Sequence, residues 1–219
     1  EFAYLPRKFK IAINGAAEDR AAIMVHDIGL TVLKNAAGEV GFRVFVGGGM
    51  GRTPILGSEI RDFLPWQHVM SYIEAIVRVY NQYGRRDNIY KARIKILVKA
   101  VGIEEFRRQV EEEWQHIKDG PSTLTQEELD RVAAHFTAPA YETLPARDEK
   151  FEAFRAENKA FANWVQRNVK PHRVPGYAAV ALSLKKTGVP PGDATDKQLE
   201  FVADIAERYS YGEVRVTHE

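Results

Sequence analysis

The first third of the chain shows the alternation of hydrophobic and polar residues that is typical of β-strands. Residues 9–13 alternate in part and predict a first strand. Residues 29–34 and 41–46 flank a turn-forming stretch at 35–38, and this arrangement predicts a β-hairpin. The second strand of the hairpin runs directly into a glycine-rich segment at residues 47–52.

The middle of the chain carries the periodicity of amphipathic helices instead. The first helix is predicted at residues 66–83 and ends before Gly84. Its apolar stripe consists of Val69, Ile73, Ile76, Val77 and Tyr80. Further helices are predicted at residues 88–100, 104–117, 125–135 and 149–164, with a loop at 137–148. Thr125 and Glu128 have the spacing of a capping box, which marks the start of a helix.

Strand patterns return in the last part of the chain. Residues 177–184 alternate and predict a strand, and residues 212–217 predict a second one. Between them, a capping box formed by Thr195 and Gln198 begins a helix that is predicted to reach residue 209. The fold class expected for the whole chain is therefore α+β, with a mixed β-sheet that is covered by helices.

Composition narrows the class of protein. Hydrophobic residues make up 45% and charged residues 28% of the 219 residues, which is ordinary for a soluble globular protein. The net charge of +1 indicates neither a nucleic-acid partner nor a membrane partner, and no apolar run is long enough to span a membrane. The chain has no cysteine, which excludes disulfides and thiolate metal sites and fits a reducing compartment. Because it begins without methionine, we expect a piece of a longer protein.

Lys8 and Lys10 lie two residues apart on the first predicted strand, so their side chains share a face. Two ammonium groups on one face repel each other unless an anion lies between them. Lysines on an edge strand also prevent aggregation, and the spacing alone favours that simpler explanation.

Arg93 is unusual because it falls in the middle of the apolar face of the helix predicted at 88–100. That face is formed by Ile89, Ile96, Leu97 and Ala100, and the solvent-facing side carries Lys91, Lys95 and Lys99. A buried unpaired charge is costly, so Arg93 needs a partner. The partner is either a ligand carboxylate bound in bidentate fashion or an acidic residue of the core.

The glycine-rich segment contains Gly47, Gly48 and Gly49, followed by Arg52. Three glycines allow a sharp turn and a close approach of the backbone to a large flat or anionic ligand. The spacing matches neither a dinucleotide-binding fingerprint nor a P-loop, and a tight loop without a ligand explains it equally well. The chain has six histidines: His26, His68, His116, His135, His172 and His218. Their positions do not show the spacing of metal ligands.

Several segments, taken together and in order, resemble the sirohaem-dependent assimilatory sulfite and nitrite reductases. These segments are residues 4–10, 26–29, 40–42, 46–53, 83–87, 91–95, 184–188 and 212–217. The chain is most similar to the bacterial haemoprotein (beta) subunit of sulfite reductase. The likeness covers nearly the whole chain and is weaker between residues 119 and 173. It implies a reductase domain at 1–118 that contacts sirohaem and substrate, a helical linking region at 119–165, and an incomplete second ferredoxin-like half-domain at 166–219.

The resemblance implies a six-electron reduction of sulfite to sulfide, or of nitrite to ammonia, at a sirohaem that a cysteine bridges to a [4Fe–4S] cluster. Lys8 and Lys10 would bind the substrate anion, and Arg93 would pair with a carboxylate of the sirohaem. The glycine loop and Arg52 would lie close to the macrocycle. A flavoprotein subunit or ferredoxin would donate electrons, with neither nucleic acid nor membrane as a partner, and the location would be cytoplasmic.

The chain departs from the family pattern at both ends. In the family that the chain resembles, the four cysteines that hold the cluster lie C-terminal to the part that corresponds to this chain, and the arginines that share the anion with the lysines lie N-terminal to it. We therefore expect the chain alone to hold no cluster, to bind sirohaem weakly or not at all, and to be inactive. Nitrite reduction, a non-catalytic anion- or tetrapyrrole-binding module and a purely structural domain are the alternatives.

Overall fold

A four-stranded mixed β-sheet forms the centre of the first part of the molecule in the computed structural model, which describes residues 2–217. Its strands, in spatial order, are β1 (Ile11–Asn14), β2 (Ile28–Lys34), β3 (Val40–Val46) and β4 (Ser58–Pro65). The first two strands run parallel, and the other two pairs are antiparallel. The mixed sheet and the helices around it confirm the predicted α+β class.

The predicted hairpin is confirmed as β2 and β3, whose register pairs Ile28 with Val46. Its turn is held by Asn35, whose side-chain oxygen accepts hydrogen bonds from the backbone N–H groups of Ala37 and Glu39, both at 3.0 Å. This is the local bonding that makes asparagine a frequent turn residue.

Helices cover the sheet, and short 3-10 turns lie between several of the strands and helices. The helices of this part are α1 (Val69–Tyr83), α2 (Ile94–Val101), α3 (Ile103–Ile117) and α4 (Gln126–Ala133). The 3-10 turns are Ile23–Val25, Trp66–His68 and Ile89–Lys91, and a fourth, Ala134–Phe136, lies at the boundary with the second part. The core includes Leu64 of β4, Tyr72 and Ile76 of α1, and Phe106 and Val110 of α3, all fully buried. Each buried side chain of this size stabilises the fold by about 1.5–3 kcal/mol.

Two features of this part differ from the sequence prediction. Strand β4 was not predicted, because Glu59, Arg61 and Asp62 mask the alternation that buries Ile60. The helix predicted at 88–100 is wrong in its first half, where a 3-10 turn ends at Lys91 and the α-helix begins only at Ile94. The side chain of Asn88 accepts a hydrogen bond from the N–H of Tyr90 (3.0 Å), which stabilises that turn.

The second part of the chain begins at Phe136, where the contacts of the chain divide it into two units. Its elements are α5 (Glu149–Glu157), α6 (Lys159–Asn168), β5 (Val169–Pro171), β6 (Ala178–Val180) and α7 (Asp196–Tyr209). The helix predicted at 149–164 breaks at Asn158, whose side chain caps α6 by accepting the N–H of Phe161 at 3.0 Å. Both predicted capping boxes are present. The domain limits at 118/119 and 165/166 stay predictions.

The strands predicted near the end of the chain are mostly wrong. Only Ala178–Val180 of the predicted strand 177–184 pairs, and its partner is β5. Residues 212–217 form no strand, because none of the described residues pairs with them, and an unpaired segment lacks the hydrogen bonds that define a strand. Within residues 2–217, no helix is both long enough and apolar enough to cross a membrane.

Candidate functional site

Lys8 and Lys10 lie in an extended segment that leads into β1, and both side chains are exposed. Because the strand starts at Ile11, the two lysines precede the sheet that was predicted to carry them. Phe9, between them, points inward and packs on the core. Two ammonium groups are therefore presented to solvent on a segment whose intervening side chain is anchored.

Side chains from later in the chain hold this segment in place. The hydroxyl of Tyr80, which is fully buried, contacts the carbonyl oxygens of Arg7 (3.0 Å) and Ala92 (2.8 Å). Arg7 donates from Nη1 to the carbonyl of Ile89 at 2.6 Å, and Arg86 donates from Nη2 to the carbonyl of Tyr4 at 3.3 Å. Residues 83–87 and 4–10, which carry two of the family-like motifs, are thus packed against each other.

Asp27 joins the lysine segment to the rest of the site. Its carboxylate is 1% exposed, and Oδ2 accepts the backbone N–H of Lys10 at 3.1 Å. The next residue, Ile28, donates its N–H to the carbonyl of Lys10 at 3.1 Å. The carbonyl of Asp27 accepts the N–H of Gly47 at 3.0 Å. The sequence places Asp27 in the family-like motif at residues 26–29 but gives it no role of its own, because that role depends on contacts with distant segments.

Arg93 pairs with Asp27, so the structure contains the internal acidic partner that the sequence had left open. Nε donates to Oδ1 at 3.1 Å, and Nη2 donates to Oδ2 at 2.8 Å. Nη1 makes no hydrogen bond to any residue from 2 to 217, and the side chain is 22% exposed. The pair therefore leaves one donor nitrogen of the guanidinium available.

The predicted surroundings of Arg93 are wrong. Arg93 is the N-cap of α2, with φ −74° and ψ 156°, and does not lie on a helix face. Ile89 is 61% exposed. Lys95, expected in solvent, is buried and donates from Nζ to the carbonyls of Met50 (3.3 Å) and Thr53 (2.6 Å). The helical angle of 100° per residue does not continue through the 3-10 turn that precedes α2, so residues 88–93 do not share a helix face with α2.

Burial of Lys95 lowers the pKa of its amine, and the nearby charge of Arg93 lowers it further. The bonds from Lys95 hold a loop that Gly49 and Ile55 close with two backbone hydrogen bonds of 2.9 Å. Arg52 lies on this loop and is exposed. Lys95 therefore supports the loop that presents Arg52, a role for which the sequence carried no signal.

The packing of this chain itself accounts for each of the three consecutive glycines. Gly47 has φ +79°, which favours glycine. A Cβ at Gly48 would overlap the carbonyl oxygens of Met24 and His26. A Cβ at Gly49 would lie 2.9 Å from Nη2 of Arg93. Gly49 thus lets the guanidinium lie against the loop, and a direct contact of these glycines with a ligand stays a prediction.

The donor set of this region fits an anionic ligand. Lys8, Lys10 and Arg52 are exposed, and Asp27, whose carboxylate accepts the backbone N–H of Lys10, is already paired with Arg93. An iron–sulfur cluster does not fit, because the chain contains no cysteine to ligate it. Among residues 2–217, no three His, Cys, Asp or Glu side chains form a metal-binding group, and His218 lies outside the described residues.

Comparison with known proteins supports the resemblance. Residues 1–118 match the family model for the nitrite and sulphite reductase 4Fe-4S domain. Residues 186–219 match the nitrite/sulfite reductase ferredoxin-like half domain. The chain is 41% identical over 115 residues to a sulfite reductase (ferredoxin) of Synechococcus elongatus, covering 49% of this chain and 18% of the relative.

A second curated relative and one solved structure are also similar to this chain. A sulfite reductase (NADPH) hemoprotein beta-component of Chromohalobacter salexigens is 36% identical over 114 residues, covering 49% of this chain and 20% of the relative. The solved structure of the Mycobacterium tuberculosis NirA protein has a TM-score of 0.48 at 32% identity and covers 54% of this chain and 22% of that chain. The matching part of this chain spans about a fifth of the length of these relatives. Because the family model covers more than half of the chain, the chain belongs to the nitrite and sulphite reductase 4Fe-4S domain family.

Proposed function

We propose that this chain is the central part of a sirohaem- and [4Fe–4S]-dependent reductase that converts sulfite to sulfide by six electrons. The observation that carries the proposal is the pair of exposed lysines, Lys8 and Lys10, on a segment that a buried carboxylate links to Arg93. The relatives named as sulfite reductases favour sulfite over nitrite as the substrate.

Lys8 and Lys10 bind the substrate anion through their ammonium groups. Fixed positive charges stabilise the negative charge of the bound anion without reorganising during the reaction. As the oxygens of sulfite leave as water they need protons, and an ammonium group within hydrogen-bond reach can supply them. The bonds that Tyr80 and Asp27 make to the backbone of this segment keep the two lysines in position for both tasks.

The remaining basic groups hold the cofactor. The available Nη1 of Arg93 would donate to a sirohaem carboxylate, and Arg52 and the glycine loop, with Gly47, Gly48 and Gly49, would lie beside the macrocycle. When bound, sirohaem supplies the iron at which the anion is reduced. The ligands of the iron–sulfur cluster come from outside this chain, which has no cysteine.

A second candidate function is the reduction of nitrite to ammonia, which the description of the matching family includes. Ferredoxin or a flavoprotein subunit would donate the electrons in either case, as the names of the relatives suggest. We expect a cytoplasmic location. The 219-residue chain by itself is expected to hold no cluster and to be inactive.

The test uses the full protein with its natural flanking sequence, reduced by a viologen dye. The Lys8→Ala/Lys10→Ala variant should lose at least about a hundredfold in sulfite turnover, because fixed charges of this kind contribute that much to catalysis. The control is Lys34→Ala/Lys99→Ala, which removes two exposed lysines elsewhere. Equal turnover in both variants would refute the proposed anion site.

Two further measurements test the other parts of the proposal. A nitrite assay run in parallel separates the two substrates. Sirohaem absorbance together with sulfite turnover in the 219-residue chain alone would contradict its expected inactivity.

A further inference from the structure

Asp27 lies where three segments of the proposed site meet. Its side chain binds the lysine segment through the N–H of Lys10 and the start of α2 through Arg93. Its backbone carbonyl binds the glycine loop through the N–H of Gly47 at 3.0 Å. The contacts come from positions as far apart as residues 10 and 93, so one residue connects them.

The carboxylate of Asp27 fixes the orientation of Arg93. A buried carboxylate needs a charged partner, and a bidentate pair with a planar guanidinium fixes both the plane and the direction of the guanidinium. Nε and Nη2 are used in that pair, at 3.1 and 2.8 Å. Gly49 lies against the guanidinium, where a Cβ would come within 2.9 to 3.1 Å of its atoms. The pair thus decides which nitrogen, Nη1, remains for a ligand.

The same carboxylate fixes the backbone of Lys10. Oδ2 accepts the N–H of Lys10 at 3.1 Å as well as Nη2 of Arg93. Since Lys10 precedes β1, the regular sheet pairing that begins with Ile11 and Ile28 does not by itself hold its N–H. A single oxygen atom therefore relates the position of an exposed lysine to that of the arginine.

We propose that Asp27 is a positioning residue, which sets the place of Lys10 and the free edge of Arg93 relative to each other so that both meet one bound anionic complex. This inference rests on the proposed function. Asp27 itself touches neither substrate nor cofactor, because its carboxylate is 1% exposed and is occupied by residues of this chain.

The experiment compares Asp27→Asn with Glu111→Gln in the full-length holoenzyme. Asparagine keeps the shape of the side chain but loses the charge that orients Arg93. Glu111 also forms a bidentate contact, to Arg61 Nη1 at 2.9 and 2.7 Å, and accepts the hydroxyl of Tyr72, but it lies on α3 outside the site. Glu111→Gln thus controls for the loss of an ion pair as such.

Three quantities are measured: hydrogen exchange of the Lys10 amide, KM for sulfite and the denaturation midpoint. We expect Asp27→Asn to speed exchange at Lys10 and to raise KM about tenfold, which corresponds to losing one charge-assisted hydrogen bond. Glu111→Gln should lower the midpoint without changing either of the other two quantities. An Asp27→Asn protein with the KM of the control would overturn the inference.

A second variant covers the case in which Asp27→Asn does not fold. Asp27→Asn/Arg93→Gln replaces the ion pair by two amides that can bond to each other, so it should fold and still show the raised KM. An unchanged KM in this variant would also overturn the inference. If Lys8→Ala/Lys10→Ala has normal turnover, the proposed function fails as well. A normal KM in Asp27→Asn with low turnover in the lysine variant rejects only the role of Asp27.

Discussion

Gly84 leaves room for Pro6: a Cβ at Gly84 would lie 2.7 Å from Cγ of Pro6 and 2.5 Å from the carbonyl oxygen of Tyr80. The first contact is with the segment that carries Lys8 and Lys10, and the second is with the last turn of α1. The motifs at residues 4–10 and 83–87 therefore pack against each other in this way because residue 84 has no side chain.

Gly84→Ala should displace the lysine segment from α1. The added methyl group meets a backbone oxygen that cannot move freely, so we expect a loss of about 1–3 kcal/mol in the free energy of unfolding. Urea denaturation measures this loss, and hydrogen exchange at residues 4–10 should increase. Gly15→Ala is the control, since the nearest atom to its Cβ would be 3.9 Å away. Equal stability of the two variants would show that the contact with Pro6 is not tight.

Tyr80→Phe removes the hydroxyl that contacts the carbonyls of Arg7 and Ala92. The hydroxyl has a single hydrogen to donate, so the variant loses one hydrogen bond at a site where the contact with Ala92 is buried, and we expect a loss of about 1–3 kcal/mol in the free energy of unfolding. Tyr83→Phe, at a half-exposed position on the same helix, should change stability far less. Guanidinium denaturation measures the free energy of unfolding of both variants. Equal values for the two variants would mean that the hydroxyl of Tyr80 does not stabilise the fold.

Lys95→Met tests the support of the loop that carries Arg52. The buried amine has a lowered pKa, which shows that burial opposes its charge, so removing the charge offsets part of the lost hydrogen bonds. We expect a change of less than about 1 kcal/mol in stability, but faster hydrogen exchange at residues 50–54. Lys99→Met, exposed on the same helix, should leave exchange in the loop unaltered. Slow exchange in both variants would mean that the closing bonds of Gly49 and Ile55 hold the loop without Lys95.

The lowered pKa of Glu74 predicts that the free energy of unfolding depends on pH. The hydroxyl of Ser122, at 2.6 Å, and then Arg78 lower the pKa of this carboxyl in the folded state. A lowered folded-state pKa stabilises the protein above the unfolded-state pKa, about 4.3, and this contribution disappears as the pH falls through the folded-state value.

Glu74→Gln should therefore cost about 1 kcal/mol at pH 7 and nothing well below pH 4. Denaturation of both proteins at pH 7 and near pH 3 measures the difference. Ser122→Ala, which removes the largest cause of the shift, should show the same trend with a smaller amplitude. A difference that stays constant with pH would mean that the pKa of Glu74 is not lowered.

The elements that sequence predicted well are those whose stabilising contacts are local. The hairpin turn is bonded within residues 35–39, and the capping boxes of Thr125 and Thr195 span four residues each. The apolar stripe of α1 also needs only the helical period. Strand β4 is not predicted from the sequence, because its charged residues hide the alternation and only pairing with β3 makes it a strand.

The predictions for the site differ in the same way: features that depend on local sequence were predicted, and features that depend on distant contacts were not. Lys8, Lys10, Arg93, Arg52 and the three glycines were selected from the sequence, and the order of motifs indicated the family that the comparison then showed. Which acid pairs with Arg93 was left open, and the solvent exposure of Lys95 was predicted wrongly. Asp27 lies 66 residues from Arg93 along the chain, and no local pattern relates two positions so far apart.

By itself, the sequence determined the fold class, the hairpin, most of the helices and the chemical types available for binding an anion. Only the tertiary structure decided that Asp27 takes Nε and Nη2 of Arg93, that Lys95 supports the glycine loop, and that Tyr80 holds the lysine segment. The physical reason is that helical periods and caps arise between neighbours in the chain. The partner of a buried charge, in contrast, is chosen by which distant groups share the same low-dielectric space.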